Sequence, residues 1–299
     1  MDKEPDTLGS LRREIDKIDT AIHDLLMRRS EVVGRIDAVK KRGSALPTGM
    51  RPGREAKVIR RLITRHRGAL PAVVVARLWR ELISAFTRLQ GPLTAAVCAP
   101  EMSVGYWDLA RAHFGSTTPM ALHRSPFVVL REVARGEATV GVLPMPESDD
   151  VDPWWPLLAA ETENKLKIIS RLPFVEDESS RFEDLSAMVV SQMPQDNTDD
   201  DRSLIVIAAN ARISRASINE LLQSVALSGR SVAALDRRED RPEWLHLVEV
   251  EEYLADNDPK IESLIKGGRG RIRRVVVIGG FANPIRTAGG IQPTASAAE

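Results

Sequence analysis

The amino-acid sequence predicts a multi-domain protein in which an all-α domain of three helices precedes an α/β lobe and a ferredoxin-like α+β domain. Residues 11–40 repeat apolar side chains at helical spacing. Residues 93–145 alternate short apolar strands with amphipathic helices, and residues 203–278 follow the order strand, helix, strand, strand, helix, strand. The expected boundaries are 1–91, 92–194 and 202–286, with 287–299 as a disordered tail.

The first helix runs, by its pattern, from Ser10 as the N-cap to about residue 41. Its apolar seam consists of Leu11, Ile15, Ile18, Ile22, Leu25, Val32, Val33 and Ile36. Arg29 and Lys40 fall where the seam should carry apolar residues, and eleven residues are about three turns, so both point the same way. Because buried charge is costly, the pair indicates a pocket for an anion; the alternative is a helix that ends near Ser30, with both charges in solvent.

Two further helices complete the first domain: the second spans about 54–66, after the turn-rich connection 42–53, and the third spans about 72–89 and ends at Gly91-Pro92. A first helix of about 32 residues is about 48 Å long. Three helices of such unequal length do not close around a core of their own. We therefore expect a homodimer in which the long helices of two chains share a bundle.

The later elements follow from short apolar runs and Gly or Pro stops. In the α/β lobe we expect strands at 93–99, 118–122, 138–145, 165–174 and 185–193, with helices at 106–115 and 125–137. Residues 195–201, QDNTDDD, read as an acidic linker. In the ferredoxin-like domain we expect strands at 203–209, 231–236, 244–250 and 273–278, with helices at 214–228 and 258–266. The Trp154-Trp155 pair is expected to pack in a core.

Charge is distributed unevenly along a chain of zero net charge. Residues 1–90 hold 20 Lys and Arg against 11 Asp and Glu, a surplus that attracts anions. Only Trp79 and Phe86 are aromatic there, and no nucleic-acid-binding module is present. The sequence therefore favours a small polyanionic ligand over nucleic acid.

Composition argues against other classes of protein. No run of 18 apolar residues predicts a membrane span, and the N-terminus does not read as a signal peptide. One cysteine, Cys98, fits a reducing cytoplasm. The five histidines lack metal-ligand spacing, and we expect His113 and His123 to be surface or structural residues. We expect no metal site and no cofactor.

Several sequence stretches resemble the all-helical chorismate mutases: LRREIDKID, RRS–EVVGRIDAVK and REAKVIRRL, with Gln90 after the third helix. The resemblance covers the first ninety residues. It implies active-site roles for Arg12, Arg29, Lys40, Arg54, Glu55 and Gln90. Two positions depart from the commonest pattern: Arg51 stands where an aspartate is frequent, and Phe86 stands where a serine is frequent. We count Arg51 among the candidate substrate-binding residues.

These residue types suit the rearrangement of chorismate to prephenate, which needs positioning and preorganised electrostatics but no nucleophile, metal or cofactor. Guanidinium groups bind carboxylates bidentately, so we expect Arg12, Arg29 and Arg54 to hold the substrate's carboxylates. Arg12 lies off the seam and is expected to reach the other subunit's pocket. The catalytic candidates are Arg29, Lys40, Gln90 and Glu55. Lys40 and Gln90 are donors to the ether oxygen, and Glu55 faces the substrate hydroxyl, as a carboxylate or as a protonated acid.

The remainder of the chain resembles a bifunctional chorismate mutase–prephenate dehydratase that has lost part of its second enzyme. Residues 161–190 cover the stretch where the second lobe and a Thr-Arg-Phe motif belong, and Ser186-Ala187-Met188 stands at the motif. We therefore expect no dehydratase activity. Residues 203–285 resemble an ACT regulatory domain, with Asn210–Ile213 near one amino-acid-binding signature and 235–239 near the other. An aromatic amino acid is a candidate effector, and dimerisation alone is the alternative role.

We therefore expect a homodimeric, cytoplasmic chorismate mutase. One alternative is an isochorismate pyruvate lyase on the same helical scaffold. Another is a non-catalytic sensor that binds a shikimate-pathway metabolite or an aromatic amino acid, which the departures at Arg51 and Phe86 would suit.

Overall fold

The computed structural model describes residues 7–40, 49–100, 104–148, 150–160, 166–177, 185–236 and 243–287. The expectations for the first connection and for the C-terminal tail fall on 41–48 and 288–299, outside the described residues. Internal contacts divide the chain into two compact units. We call Met1–Gly49 with Ala85–Pro92 the long-helix unit, and Met50–Ser84 with Leu93–Glu299 the sheet unit.

Three helices form the N-terminal region as predicted: α1 (Leu8–Lys40), α2 (Pro52–Arg65) and α3 (Ala72–Arg88). The N-cap of α1 is Thr7 rather than Ser10. The Thr7 side chain accepts from the Ser10 backbone N–H at 3.1 Å, and the Ser10 hydroxyl accepts from the Thr7 backbone N–H at 3.0 Å. This reciprocal capping explains why α1 begins earlier than predicted.

The α/β lobe contains the helices α4 (Val104–Phe114) and α5 (Pro126–Ala134). Its strands are β1 (Ala95–Cys98), β2 (Met120–His123), β3 (Val140–Pro144), β4 (Lys167–Leu172), β5 (Val175–Asp177) and β6 (Ala187–Ser191). Strand β1 is parallel to β2 and β3, as the alternating pattern predicts, whereas β6 is antiparallel to both β3 and β4. The lobe is therefore mixed rather than wholly parallel.

The C-terminal region has the predicted βαββαβ order. It comprises β7 (Asp201–Ala209), α6 (Arg215–Ser224), β8 (Gly229–Leu235), β9 (Trp244–Val250), α7 (Pro259–Gly267) and β10 (Ile272–Ala282). A further short strand, β11 (Ile285–Thr287), pairs with β5 in a separate two-stranded sheet that the sequence did not predict. The four long strands are antiparallel and lie in the order β10-β7-β9-β8, the order of a ferredoxin-like fold.

One nine-stranded sheet, β2-β1-β3-β6-β4-β10-β7-β9-β8, runs through the two segments that we expected to be separate domains. Its two halves meet where β10 runs parallel to β4, with Gly279 paired to Ile168. Gly279 has φ +118°, and a Cβ there would lie 2.2 Å from the Ile168 carbonyl oxygen. Glycine is therefore required at this junction.

Both faces of the sheet are covered. In the lobe, α4 packs on one face and α5 on the other, while α6 and α7 share one face of the C-terminal half. Trp154 and Trp155 are buried against the opposite face of that half, which confirms their predicted core role. Among the described residues, no helix is long and apolar enough to cross a membrane.

Candidate active site

In the long-helix unit, the last turns of α3 place Phe86 beside Arg29 of α1. The guanidinium carbon of Arg29 lies 4.3 Å from the centroid of the Phe86 ring, and Phe86 is only 8% exposed. A guanidinium within about 6 Å of a ring face is attracted by the ring quadrupole. Phe86, which stands where a serine is commoner, thus packs against Arg29, the cation that interrupts the apolar seam of α1.

Phe86 also contacts Gln90, the residue that follows the end of α3. The Gln90 Nε2 donates to the Phe86 carbonyl oxygen at 3.1 Å. A Cβ on Gly49 would lie 2.6 Å from the Gln90 Cβ, so Gly49 packs against Gln90 more closely than any other residue could. Arg29 and Gln90 therefore both contact Phe86, the first through the ring and the second through the backbone carbonyl.

Arg12 and Lys40 are the two other candidates on α1. Arg12 is exposed, and its position 17 residues before Arg29 places it about 25 Å away along the helix axis. Lys40 is the last residue of α1, but its side chain lies outside the described part of the chain. Its donor role stays a prediction.

In the sheet unit, Glu55 of α2 forms a buried ion pair with Arg80 of α3. The Arg80 Nη1 donates to the Glu55 Oε2 at 3.2 Å, and the two side chains are 8% and 14% exposed respectively. The other carboxylate oxygen of Glu55 accepts from the Arg51 backbone N–H at 3.4 Å, where α2 begins. The carboxyl group therefore also caps its own helix.

Burial dominates the protonation of this pair. Desolvation raises the pKa of Glu55, while the positive charge of Arg80 and the Arg51 backbone N–H oppose that rise. Desolvation lowers the pKa of Arg80 to about 10, against the opposing effect of the Glu55 charge. At neutral pH Arg80 keeps its charge, and the pair remains a charge-assisted hydrogen bond.

Arg51 and Arg54 line a cavity of about 440 Å³ at the start of α2, together with Lys57, Val58, Arg61, Asp196 and Asn197. Four of these seven residues are cations, so the cavity favours anionic ligands. Arg51 is already engaged, because its Nε and Nη2 donate to the Asp196 carboxylate at 3.3 and 3.4 Å. Arg54 is exposed.

The acidic segment 196–200 lies along the basic side of α2 instead of acting only as a linker. Lys57 pairs with Asp199 at 2.8 Å, and Arg60 pairs with Asp200 at 3.1 Å. A Cβ on Gly53 would lie 2.4 Å from the Asp196 Cβ, which shows how closely the segment approaches the helix.

Comparison with known families assigns the N-terminal region. The family described as chorismate mutase type II matches residues 11–91. Residues 11–91 are therefore similar to a chorismate mutase type II domain, and we call them the mutase domain. This stretch contains every site residue that the resemblance implied.

The curated relatives are bifunctional. The chain is 36% identical over 154 residues to the bifunctional chorismate mutase/prephenate dehydratase of Pseudomonas aeruginosa, which covers 48% of this chain and 40% of that protein. The aligned stretch is longer than the mutase domain, so the likeness continues into the lobe. The chain spans about two fifths of the length of the curated relatives it matches.

Solved structures align at low identity. The prephenate dehydratase from Streptococcus mutans is 10% identical, with a TM-score of 0.46 over 65% of this chain and 100% of that chain. The prephenate dehydratase in complex with L-Phe from Arthrobacter aurescens is also 10% identical, with a TM-score of 0.46 over 67% of this chain and 94% of that one.

Sequence reasoning missed Arg80, although the sequence carried a signal for it. Arg80 lies four residues after Ala76 and three before Ile83, on the apolar stripe of α3. This is the pattern that singled out Arg29 in the mutase domain: a cation at an apolar position. The pairing of segment 196–200 with α2 had only complementary charge as a signal.

Proposed function

We propose that the chain is a chorismate mutase that converts chorismate to prephenate by an intramolecular rearrangement, in aromatic amino-acid biosynthesis in the cytoplasm. The observation that carries the proposal is the arrangement of Arg29 and Gln90 around Phe86, within a domain that matches the chorismate mutase type II family. The rearrangement proceeds within one molecule, so the residues act by positioning and by stabilising charge.

The roles follow from donor and acceptor chemistry. Arg29 and Arg54 bind the two carboxylates of chorismate. Lys40 and Gln90 donate to the ether oxygen, on which negative charge develops as the bond breaks.

Glu55 accepts from the substrate hydroxyl in this proposal, while its hydrogen bond to Arg80 holds the carboxyl group in place. Each carboxylate oxygen has two lone pairs, so the hydrogen bonds from Arg80 and the Arg51 backbone leave acceptor capacity. Arg51 adds positive charge at the cavity beside Arg54.

We propose a homodimer formed through α1. The helix has 33 residues, about 50 Å, and its apolar seam is exposed in the single chain, with Ile15 56% and Leu25 64% exposed. An exposed apolar stripe of this length is typical of a protein interface. In such a dimer Arg12 serves the other protomer's site, since it lies too far along α1 to serve its own.

We propose that the chain lacks prephenate dehydratase activity. Ala187 and Met188, which stand where the Thr-Arg-Phe motif belongs, are buried in β6, and the Ser186 hydroxyl accepts from Arg171 at 3.4 Å. This triplet offers no cationic side chain to a substrate.

We propose that the C-terminal βαββαβ segment is an ACT-like regulatory domain with an aromatic amino acid as effector. The order and pairing of β7 to β10 support the proposal. Of the two signature regions, Asn210–Ile213 follows β7, whereas most of the second falls on 237–242, outside the described residues.

The decisive experiment is chorismate consumption by the purified chain, with the products identified by chromatography. We expect prephenate alone, with phenylpyruvate at its spontaneous rate. Enzymatic phenylpyruvate would contradict the loss of dehydratase activity. Pyruvate released from isochorismate would favour a lyase, and binding of chorismate without turnover would favour a sensor.

A further inference from the structure

A cavity of about 60 Å³ lies in the sheet unit between α3, α4 and the turn that joins β4 to β5. Its wall is mainly apolar and is formed largely by Val73, Ala76, Leu109, Pro173, Phe174 and Val175. Such a volume holds several water molecules. The exposed residues Arg77 and Ala112 also line it, so the cavity opens to the surface.

His113 of α4 is the buried polar residue of this wall. It is 8% exposed and makes no hydrogen bond with any residue in the described part of the chain, although its ring packs edge-on against Phe114 at 4.7 Å. Desolvation, and secondarily the charge of Arg80, lower the pKa of His113 well below its usual value, so its neutral ring has one N–H to donate.

Arg80 is the second polar group of the wall. Its guanidinium carbon lies 5.3 Å from the centroid of the Phe174 ring, and within the described residues it makes one hydrogen bond, to Glu55. A guanidinium has five N–H donors, so most of its hydrogen-bonding capacity is unused by Glu55.

The charge around the cavity is positive. Glu55 offsets the charge of Arg80, while Arg77 at the mouth pairs with no carboxylate among the residues the structure describes. A cationic group at the end of an apolar recess selects an anion that carries an apolar body.

We propose that this cavity is a binding site for a small carboxylate with an apolar body, the carboxylate entering the cavity and accepting hydrogen bonds from Arg80 and His113, and the body lying in the opening beside Ala112. Charge-assisted bonds to a guanidinium are the stronger kind of hydrogen bond, and the ligand supplies the acceptor that His113 lacks. Through Arg80 the site adjoins Glu55, but it shares no residue with the cluster of Arg29, Phe86 and Gln90, and the proposal does not depend on mutase activity.

The test is calorimetric titration of the full chain with benzoate and with benzamide, its neutral isostere. We expect benzoate to bind with a Kd of about 1 mM or tighter, and benzamide at least about tenfold more weakly. Ala112→Phe places a ring at the exposed mouth and should weaken benzoate binding at least about tenfold. The matched control Ala216→Phe, at an exposed alanine on α6, should bind like the wild type.

A second readout locates the ligand. The imidazole proton resonances that vanish in the His113→Phe variant should shift in the wild type during the benzoate titration. Arg29→Ala should leave benzoate affinity unchanged, which separates this cavity from the mutase cluster. Absence of millimolar benzoate binding, equal binding to Ala112→Phe, or His113 resonances that do not move would each overturn the proposal.

Discussion

The guanidinium of Arg29 lies 4.3 Å from the ring of Phe86, so a residue of α3 sets the direction of a cation on α1. The contact gives a physical reason for the departure from serine at position 86: an aromatic face orients the cation where a hydroxyl is commoner. Because the Phe86 carbonyl also accepts from Gln90, one residue positions two of the proposed catalytic groups.

Replacing Phe86 tests this positioning role. Phe86→Leu keeps an apolar side chain but removes the ring quadrupole, whose attraction for a cation is about 0.5–2 kcal/mol. We expect kcat/KM for chorismate to fall by about 3- to 30-fold, with the far-UV circular dichroism spectrum retained. Phe86→Tyr keeps the ring and should stay near the wild type. Equal losses in both variants would count against the stacking argument.

Arg29→Ala should abolish measurable mutase turnover while the chain stays folded. Removal of one preorganised donor to developing charge costs about 3 kcal/mol or more, which is at least about a hundredfold in kcat. Steady-state assays compare this variant with Arg28→Ala, which removes an exposed arginine one position earlier. Near-normal turnover in Arg29→Ala would defeat the site assignment.

Replacing only one partner of the buried Glu55–Arg80 ion pair should strongly lower the free energy of unfolding. Arg80→Met leaves the Glu55 carboxylate buried without its guanidinium, and such a loss costs about 3–5 kcal/mol of unfolding free energy. Urea unfolding should show that the double variant Glu55→Leu with Arg80→Met is more stable than Arg80→Met alone. Lys266→Met, in an exposed pair with Glu262, should change stability by less than about 1 kcal/mol.

His113 should make stability depend on pH. Because burial lowers its pKa in the folded chain, the unfolded chain binds the proton more readily. The free energy of unfolding therefore has its full value above about pH 6.5. It decreases as the pH falls below that value, by up to about 1.4 kcal/mol per pH unit. Unfolding titrations from pH 7 to pH 5 should give a shallower slope for His113→Phe. Identical slopes would contradict the prediction.

The Asp196 carboxylate accepts two hydrogen bonds from the Arg51 guanidinium, as a substrate carboxylate would. Asp196 should therefore compete with the substrate for Arg51. We expect Asp196→Asn to lower the KM for chorismate by about two- to fivefold, since an exposed ion pair contributes up to about 1 kcal/mol. The effect should fade at high salt. Asp256→Asn removes a carboxylate paired with Lys167 in another part of the sheet unit and should leave KM unchanged. A KM for Asp196→Asn at or above the wild-type value would show that the pair does not compete with substrate.

The sequence predicted the elements that carry long or alternating apolar patterns. Helix α1 and the strands β7 and β9 begin and end within three residues of the expected positions. The three-residue strands β5 and β11 escaped prediction, because so short a segment shows no period. Thr7 was missed as the N-cap, since Ser10 has equal capping chemistry and only the geometry of the turn distinguishes them.

The candidate site was predictable only where a charge broke a local pattern. Arg29 stood out in the seam of α1, and Arg80 would have stood out by the same rule. The stacking of Arg29 on Phe86 and the contact of Asp196 with Arg51 join residues that are 57 and 145 positions apart. No local spacing encodes such distant pairs.

The parallel contact between β4 and β10 at Gly279 has a consequence for how this chain can be shortened. Strand β10 is the last long strand, yet it covers the edge of β4 in the α/β lobe. A fragment that stops before β7 would expose that edge and its unpaired backbone groups, which invites aggregation. The lobe and the C-terminal segment should therefore be expressed as one piece.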